Sequence, residues 1–220
     1  MALETTAFDG NPYVGIFCAT SEKITLAPHS SHPKFLEALA CLGTKIVKTT
    51  IMDSNLLGVF CAMNSNGAIV PYGISDSEIA VLKAEGLNVL VMKDAHNAIG
   101  NNICANDKGA IANPEFIDHD LGRIADCLGV EVVTDRVAGF DTVGSAVMAT
   151  NKGYIAHHDA LEDDLKDLES ILGVKGGVGS LNMGCGFVRV CGLGTSSGAV
   201  AGEASSGFEL ARLSSALDII

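Results

Sequence analysis

Positive charge is scarce in this 220-residue chain. Its 14 Lys and Arg stand against 26 Asp and Glu, a formal net charge of −12 with a pI near 4.7. Sequence-blind nucleic-acid binding needs a basic footprint to displace counterions from phosphates, so the overall charge argues against it and no DNA partner is expected. An acidic surface instead steers basic protein surfaces toward it. Long apolar runs are missing too. Gly, Asn, Asp or Lys interrupts every one before the roughly 18 residues that a membrane-spanning helix needs. The first ten residues carry Glu4 and Asp9 and no basic stretch, unlike a signal peptide. No Cys-x-x-Cys unit occurs, and seven cysteines cannot all pair. Cys18 and Cys61 lie among aliphatic residues, as buried free thiols do, which points to a reducing compartment and a cytoplasmic chain. Disorder is excluded by a composition that is 48% hydrophobic and only 18% charged.

What the chain does contain is a repeat. Gly67, Gly109, Gly153 and Gly198 recur at spacings of 42, 44 and 45 residues. Each closes a polar quartet and opens a small-aliphatic stretch, as in Asn64-Ser-Asn-Gly67-Ala-Ile-Val and Asn106-Asp-Lys-Gly109-Ala-Ile-Ala. Ser21-Glu-Lys-Ile24 is a degenerate first copy. Nine residues ahead of each turn position stand Gly15, Gly58, Gly100, Gly144 and, as the exception, Arg189. The turns, rich in Asn, Asp and Gly, are expected to use positive φ. Helical spacing follows, with Leu121, Ile124, Leu128; Leu165, Leu168, Leu172; and Leu210, Leu213, Leu217. Ser75-Asp-Ser-Glu78 and Ser206-Gly-Phe-Glu209 read as capping boxes. Gly43, Gly86, Gly129 and Gly173 read as left-handed C-terminal caps, with Asp218 in the fifth copy.

The unit is a hairpin, a helix and a further strand. It has one apolar face and cannot bury that face alone. Five copies with small strand residues (Ala62, Ala105, Ala149, Ala201) suggest a closed ring, and residues 3–8 alternate so as to supply the fifth copy's missing strand. The expectation is a single α+β domain over residues 1–220: a five-fold pseudo-symmetric α/β propeller of ββαβ-type repeats of about 44 residues. The repeats fall near 9–52, 53–95, 96–138, 139–182 and 183–220, with 1–8 closing the last.

The chain resembles the archaeal translation initiation factor 6 family, ribosome anti-association factors of the pentein fold. The likeness rests on Asp9-Gly-Asn-Pro-Tyr-Val-Gly15, Asn97-Ala-Ile-Gly-Asn101, Ala105-Asn-Asp-Lys-Gly-Ala110, Thr142-Val-Gly-Ser145, Ala149-Thr-Asn-Lys-Gly153 and Glu209-Leu-Ala-Arg212, in that order across the repeats. The resemblance implies a monomer, without cofactor or metal, that binds the large ribosomal subunit and blocks joining of the small one. Its contacts would be mainly with a basic ribosomal protein and adjacent rRNA. The expected contact residues are Tyr13, Gly15, Gly58, Asn64, Asn97, Gly100, Asn101, Asn102, Gly144 and Ser145. Asn101 and Asn102 stand out because other copies read Ile16-Phe17, Val59-Phe60 and Ser145-Ala146. The plainer alternative for such a pair is satisfaction of local backbone groups. The chain departs from the family at Leu181-Asn-Met-Gly-Cys185, at Arg189 where Gly is expected, and at Val59, which lacks an Arg. The losses of positive charge at Met183, where the family commonly has Arg, and at Val59 weaken the expectation of rRNA contact more than that of protein contact.

An enzyme is the rival reading, since the same fold serves guanidine-modifying hydrolases and transferases with a late Cys nucleophile. Thiolate attack needs a Cys activated by a His or cation. Cys185 with Arg189, and His157-His158-Asp159, could fill those roles. Against this, His157 falls in the column of Pro28, Pro71, Asn113 and Gly202, expected to be a solvent-facing turn, and the tight repeats leave no room for pocket-forming insertions. His29-Ser-Ser-His32 reads as solvated rather than metal-binding.

Overall fold

The computed structural model describes residues 2–116 and 118–219. β1 (Leu3–Thr6) comes first, and five units of one design follow. The first consists of α1 (Val14–Phe17), β2 (Ala19–Thr20), β3 (Ile24–Pro28), α2 (Pro33–Leu39) and β4 (Lys45–Thr49). The second repeats this order as α3 (Leu57–Phe60), β5 (Ala62–Met63), β6 (Gly67–Pro71), α4 (Asp76–Ala84) and β7 (Asn88–Met92). In the third stand α5 (Ile99–Asn102), β8 (Ile103–Ala105), β9 (Gly109–Ala112), α6 (Asp118–Leu128) and β10 (Glu131–Thr134). The fourth has α7 (Val143–Ala146), β11 (Val147–Ala149), β12 (Gly153–His157), α8 (Glu162–Leu172) and β13 (Lys175–Gly179). The fifth has α9 (Val188–Cys191), β14 (Gly192–Gly194), β15 (Ala199–Gly202) and α10 (Gly207–Leu217). In each unit a middle strand pairs antiparallel with the strand before it and parallel with the strand after the helix, giving five separate three-stranded sheets. The fifth sheet borrows β1, with Leu3 opposite Ala199 and Thr6 opposite Gly202. The architecture is the five-fold pseudo-symmetric ring that the sequence period implies.

Middle strands are buried along their whole length, as a strand covered on both faces must be. The core divides into wedges, and each wedge joins neighbouring units. One gathers Ile24, Leu26 and Val47 with Leu57, Val70 and Leu82. Another closes the ring by packing Phe8, Val14 and Leu39 against Leu193 and Val200. Gly43, Gly86, Gly129 and Gly173 terminate their helices at φ between 62° and 81°, and Asp218 does so at 53°. Both capping boxes form.

Two glycine columns have one cause, close approach between units. The five single-turn helices pack side by side around the axis. A Cβ at Gly58 would run into the carbonyl of Gly15, one at Gly100 into that of Gly58, one at Gly144 into that of Gly100, and one at Gly15 into that of Arg189. The turn column was expected to use positive φ, but none of Gly67, Gly109, Gly153 and Gly198 does so. Glycine is required there because the next unit's helix end presses on the turn. A Cβ would strike the carbonyls of Cys127, Ile171, Ala216 and Cys41 respectively. The turns are shaped instead by side chains: the Asn64 amide oxygen accepts from the backbone N–H groups of Asn66 (2.9 Å) and Gly67 (3.1 Å).

Candidate docking face

Each single-turn helix is entered from a tight turn at one edge of its unit. Four of these turns close with an antiparallel bridge, Phe8 to Asn11, Ile51 to Ser54, Val137 to Phe140 and Leu181 to Cys185. Residues with positive φ (Asp9, Met52, Asp53, Ala138, Asn182, Met183) bend them. Carboxylates from the long helices hold three of the turns. Glu78 accepts from Asp53 N (3.0 Å) and Thr50 Oγ1 (2.7 Å), Asp164 from Ala138 N (3.3 Å), and Glu209 from Gly184 N (2.8 Å) and Ser180 Oγ (2.9 Å). Burial alone would raise the pKa of Glu78 and Glu209. The donors around them outweigh it and hold both at about 2.

The third unit is built differently. Its entry segment, residues 93–98, lacks the bridge and is tied down by His96. One ring nitrogen lies 2.7 Å from Asp94 Oδ1 and the other 2.6 Å from Glu115 Oε2. Asp94, against the opposing effect of burial and with help from Glu115, raises the pKa of this imidazole. Asn102 is buried, its amide donating to Ala98 O (2.9 Å) and accepting from Asn113 (2.7 Å). The plainer reading therefore holds for Asn102: it satisfies local polar groups. Asn101, one position earlier in α5, is half-buried, and its side chain makes no hydrogen bond among the described residues. Asn97 is exposed, and Tyr13 is 40% exposed at the entrance to α1.

The remaining expected contact residues are interior. Gly15, Gly58, Gly100 and Gly144 are consumed in packing the inner ring, and Ser145 is 6% exposed with its hydroxyl on Thr142 O (2.8 Å). Asn64 is 2% exposed and bolts two units together, donating to Asn106 O (3.1 Å) and Leu128 O (2.9 Å). Asn106 repeats the device on Thr150 O and Leu172 O, and Thr195 reaches Leu42 O. A second girdle crosses the axis at the same turns. Asp107 holds Ser65 and Asn151, while Glu22 accepts from Asn151 N and Ser196 N. Sequence reading misses these bonds because partners lie 42 or more residues apart; the recurrence of Asn, Asn, Thr, Thr ahead of each turn is the signal that could have exposed them.

The residues of the rival catalytic reading are engaged in packing and backbone bonds. Arg189 sends its guanidinium along the ring interior to Gly15 O (3.0 Å) and Cys18 O (3.3 Å), so it is committed to backbone acceptors in the first unit. Burial lowers its pKa and raises those of Cys18, Cys61 and Cys104, the latter two to about 12. His157, expected in a solvent-facing turn, ends β12 at 5% exposure between Phe140 and Phe187. Its whole column is interior, with Pro28, Pro71, Asn113 and Gly202 buried as well. Burial and then His158 lower its pKa, against a smaller opposing effect of Asp159. His157, His158 and Asp159 bring ligand atoms within 4.8 Å of one another, but the imidazoles stack face to face at 4.5 Å and 22°. Their in-plane lone pairs do not converge on one ion. His29 and His32 are exposed, and His32 caps α2 through Lys34 N (3.3 Å).

Among the described residues no helix is long and apolar enough to cross a membrane. A family model described as the eIF-6 family matches residues 3–216. The chain is 40% identical to Translation initiation factor 6 of Pyrococcus furiosus over 227 residues, all of both chains. It is also 40% identical to the protein of that name from Thermococcus kodakarensis, again over the whole of both. The Methanosphaerula palustris protein of the same name is 34% identical over 96% of each.

Proposed function

Since this chain belongs to the eIF-6 family, whose fold is the pentein ring described above, we propose that it binds the large ribosomal subunit and prevents its association with the small one. The relatives are named as translation initiation factors rather than enzymes, and the chain is not an enzyme. It acts as a cytoplasmic monomer without cofactor, and docking excludes the small subunit by occupying space. The observation that carries this reading at residue level is the third unit's entry edge. Asn97 and Asn101 project polar amides there that the fold itself does not use, while the neighbouring Asn102 is fully engaged. Tyr13 adds an aromatic with a hydroxyl at the corresponding place in the first unit, the kind of amphipathic anchor that interfaces favour. A net charge of −12 favours a basic ribosomal protein as the main contact, with rRNA adjacent.

The test is sucrose-gradient sedimentation with archaeal ribosomal subunits. Co-migration with the large subunit and loss of the joined particle are expected. Asn101→Asp should weaken co-migration without changing the melting temperature, because the Asn101 side chain makes no hydrogen bond among the described residues. Absence of co-migration at low salt would refute the reading. Undiminished binding of the variant would remove Asn101 from the contact.

A further inference from the structure

A groove of about 740 Å³ runs between β13, the edge strand of the fourth sheet, and α10 of the fifth unit. It shares no residue with the docking face. Its floor is small: Gly176, Gly177, Ala211, Ser215 and Ala216. A Cβ placed on Gly177 would meet nothing within 4 Å, so the backbone there lies open to the groove. The walls are cationic and aromatic. Lys152, Lys175 and Arg212 line it and are exposed, and none forms an ion pair among the described residues. Among the described residues Asp218 is the only acidic one lining it, so the groove carries a local positive excess within a chain of net charge −12. Phe208 is 73% exposed, with the Arg212 guanidinium 5.6 Å from its ring centroid.

An occupant must therefore be anionic and must profit from a flat apolar surface. An acidic peptide adding to β13 as an extra strand fits poorly. Strand addition needs successive free edge carbonyls, and Arg212 Nη1 already occupies Val178 O at 3.2 Å. A single nucleic-acid strand meets both requirements: its phosphates find three unpaired cations at the rim, and a base finds the Phe208 ring and its guanidinium partner. The geometry points to this groove as a binding site for a single-stranded RNA segment, held by Lys152, Lys175 and Arg212 on its phosphates and by Phe208 on a base. That the strand is RNA rather than DNA rests on the ribosomal reading above; the groove and its charge do not.

The test is fluorescence anisotropy of a short labelled oligouridylate titrated with the intact chain. Three phosphate contacts on a single strand give a log–log salt slope of about −2, so affinity should fall about twentyfold between roughly 50 and 200 mM salt. Lys175→Glu and Arg212→Gln should each weaken binding and flatten the slope by about 0.7. Phe208→Ala should weaken binding at least about fivefold at every salt concentration, since stacking is not screened. All three side chains are exposed, and thermal melts verify that the variants remain folded. No binding at about 50 mM salt would overturn the proposal. So would variants that bind like the parent, or a polyglutamate peptide that displaces the RNA at equal charge concentration. Sedimentation with the large subunit in parallel separates this result from the anti-association reading, because the groove can fail while docking through the third unit persists.

Discussion

Replacing Asn64 probes how the ring is fastened. Its side chain makes four hydrogen bonds, donating to Asn106 O and Leu128 O across the unit boundary and accepting from Asn66 N and Gly67 N within its own turn. At about 1 kcal/mol net for each buried bond, Asn64→Ala should destabilise the protein by about 4 kcal/mol. For a domain of this size that lowers the melting temperature by about 8–16 °C. Asn64→Thr is the informative control, because Thr195 occupies the same place in the fifth unit and reaches Leu42 O of the neighbouring helix end at 2.7 Å. A threonine hydroxyl also accepts from the turn amides, as Thr150 does from Lys152 N and Gly153 N. Asn64→Thr should therefore recover about half of the loss. Urea unfolding followed by far-UV circular dichroism measures both. A loss under about 1 kcal/mol for the alanine variant, or a threonine variant as damaged as alanine, would refute the inter-unit role.

Other expectations follow from the same structure. Gly100→Ala should cost about 3 kcal/mol or more, or abolish folding, because its Cβ enters the carbonyl of Gly58; Gly177→Ala should be nearly neutral by the same urea assay. Glu78 and Glu209 have folded pKa values of about 2 against an ordinary 4.5, so their stabilisation is present above 4.5 and is lost as pH falls toward 2. Acid titration of a Glu78→Gln, Glu209→Gln variant should therefore show a flatter loss over that window. His96 has the opposite sign. Its raised pKa makes its contribution present below 6.5 and lost as pH rises through the folded value, so hydrogen exchange of residues 93–98 should quicken on that side and Glu115→Gln should reduce the effect. Iodoacetamide should leave Cys18, Cys61 and Cys104 unmodified in the native state, since burial and a raised pKa both suppress the thiolate; rapid labelling would contradict the packing.

The ring could be read from the sequence because its period imposes local signs at fixed positions. A left-handed residue must end each helix, hence Gly43, Gly86, Gly129 and Gly173, and the alternation of the first strand matches the strand that the fifth repeat lacks. Local signs lose their meaning where two units touch. A glycine that yields to a carbonyl 60 residues away looks like a turn glycine, as Gly67 and Gly109 did. An asparagine that bolts units together looks like a free polar residue, as Asn64 did. His157 and Arg189 misled for the same reason, since their surroundings come from Phe140, Phe187 and the first unit's carbonyls. At the docking edge the polar break at Asn101 and Asn102 was visible as a pair. Only coordinates separate the engaged amide from the unengaged one.

The pairing of β1 with β15 has a consequence for synthesis on the ribosome. Leu3 meets Ala199, so the first strand made must wait for nearly the last one. Closing a loop of that length costs about 5 kcal/mol of chain entropy. Until then a short strand with unpaired edges is tethered to units whose own wedges are only partly filled. The seam therefore makes folding the slow, non-local kind, and it sets a single late event after which β15 is paired on both sides.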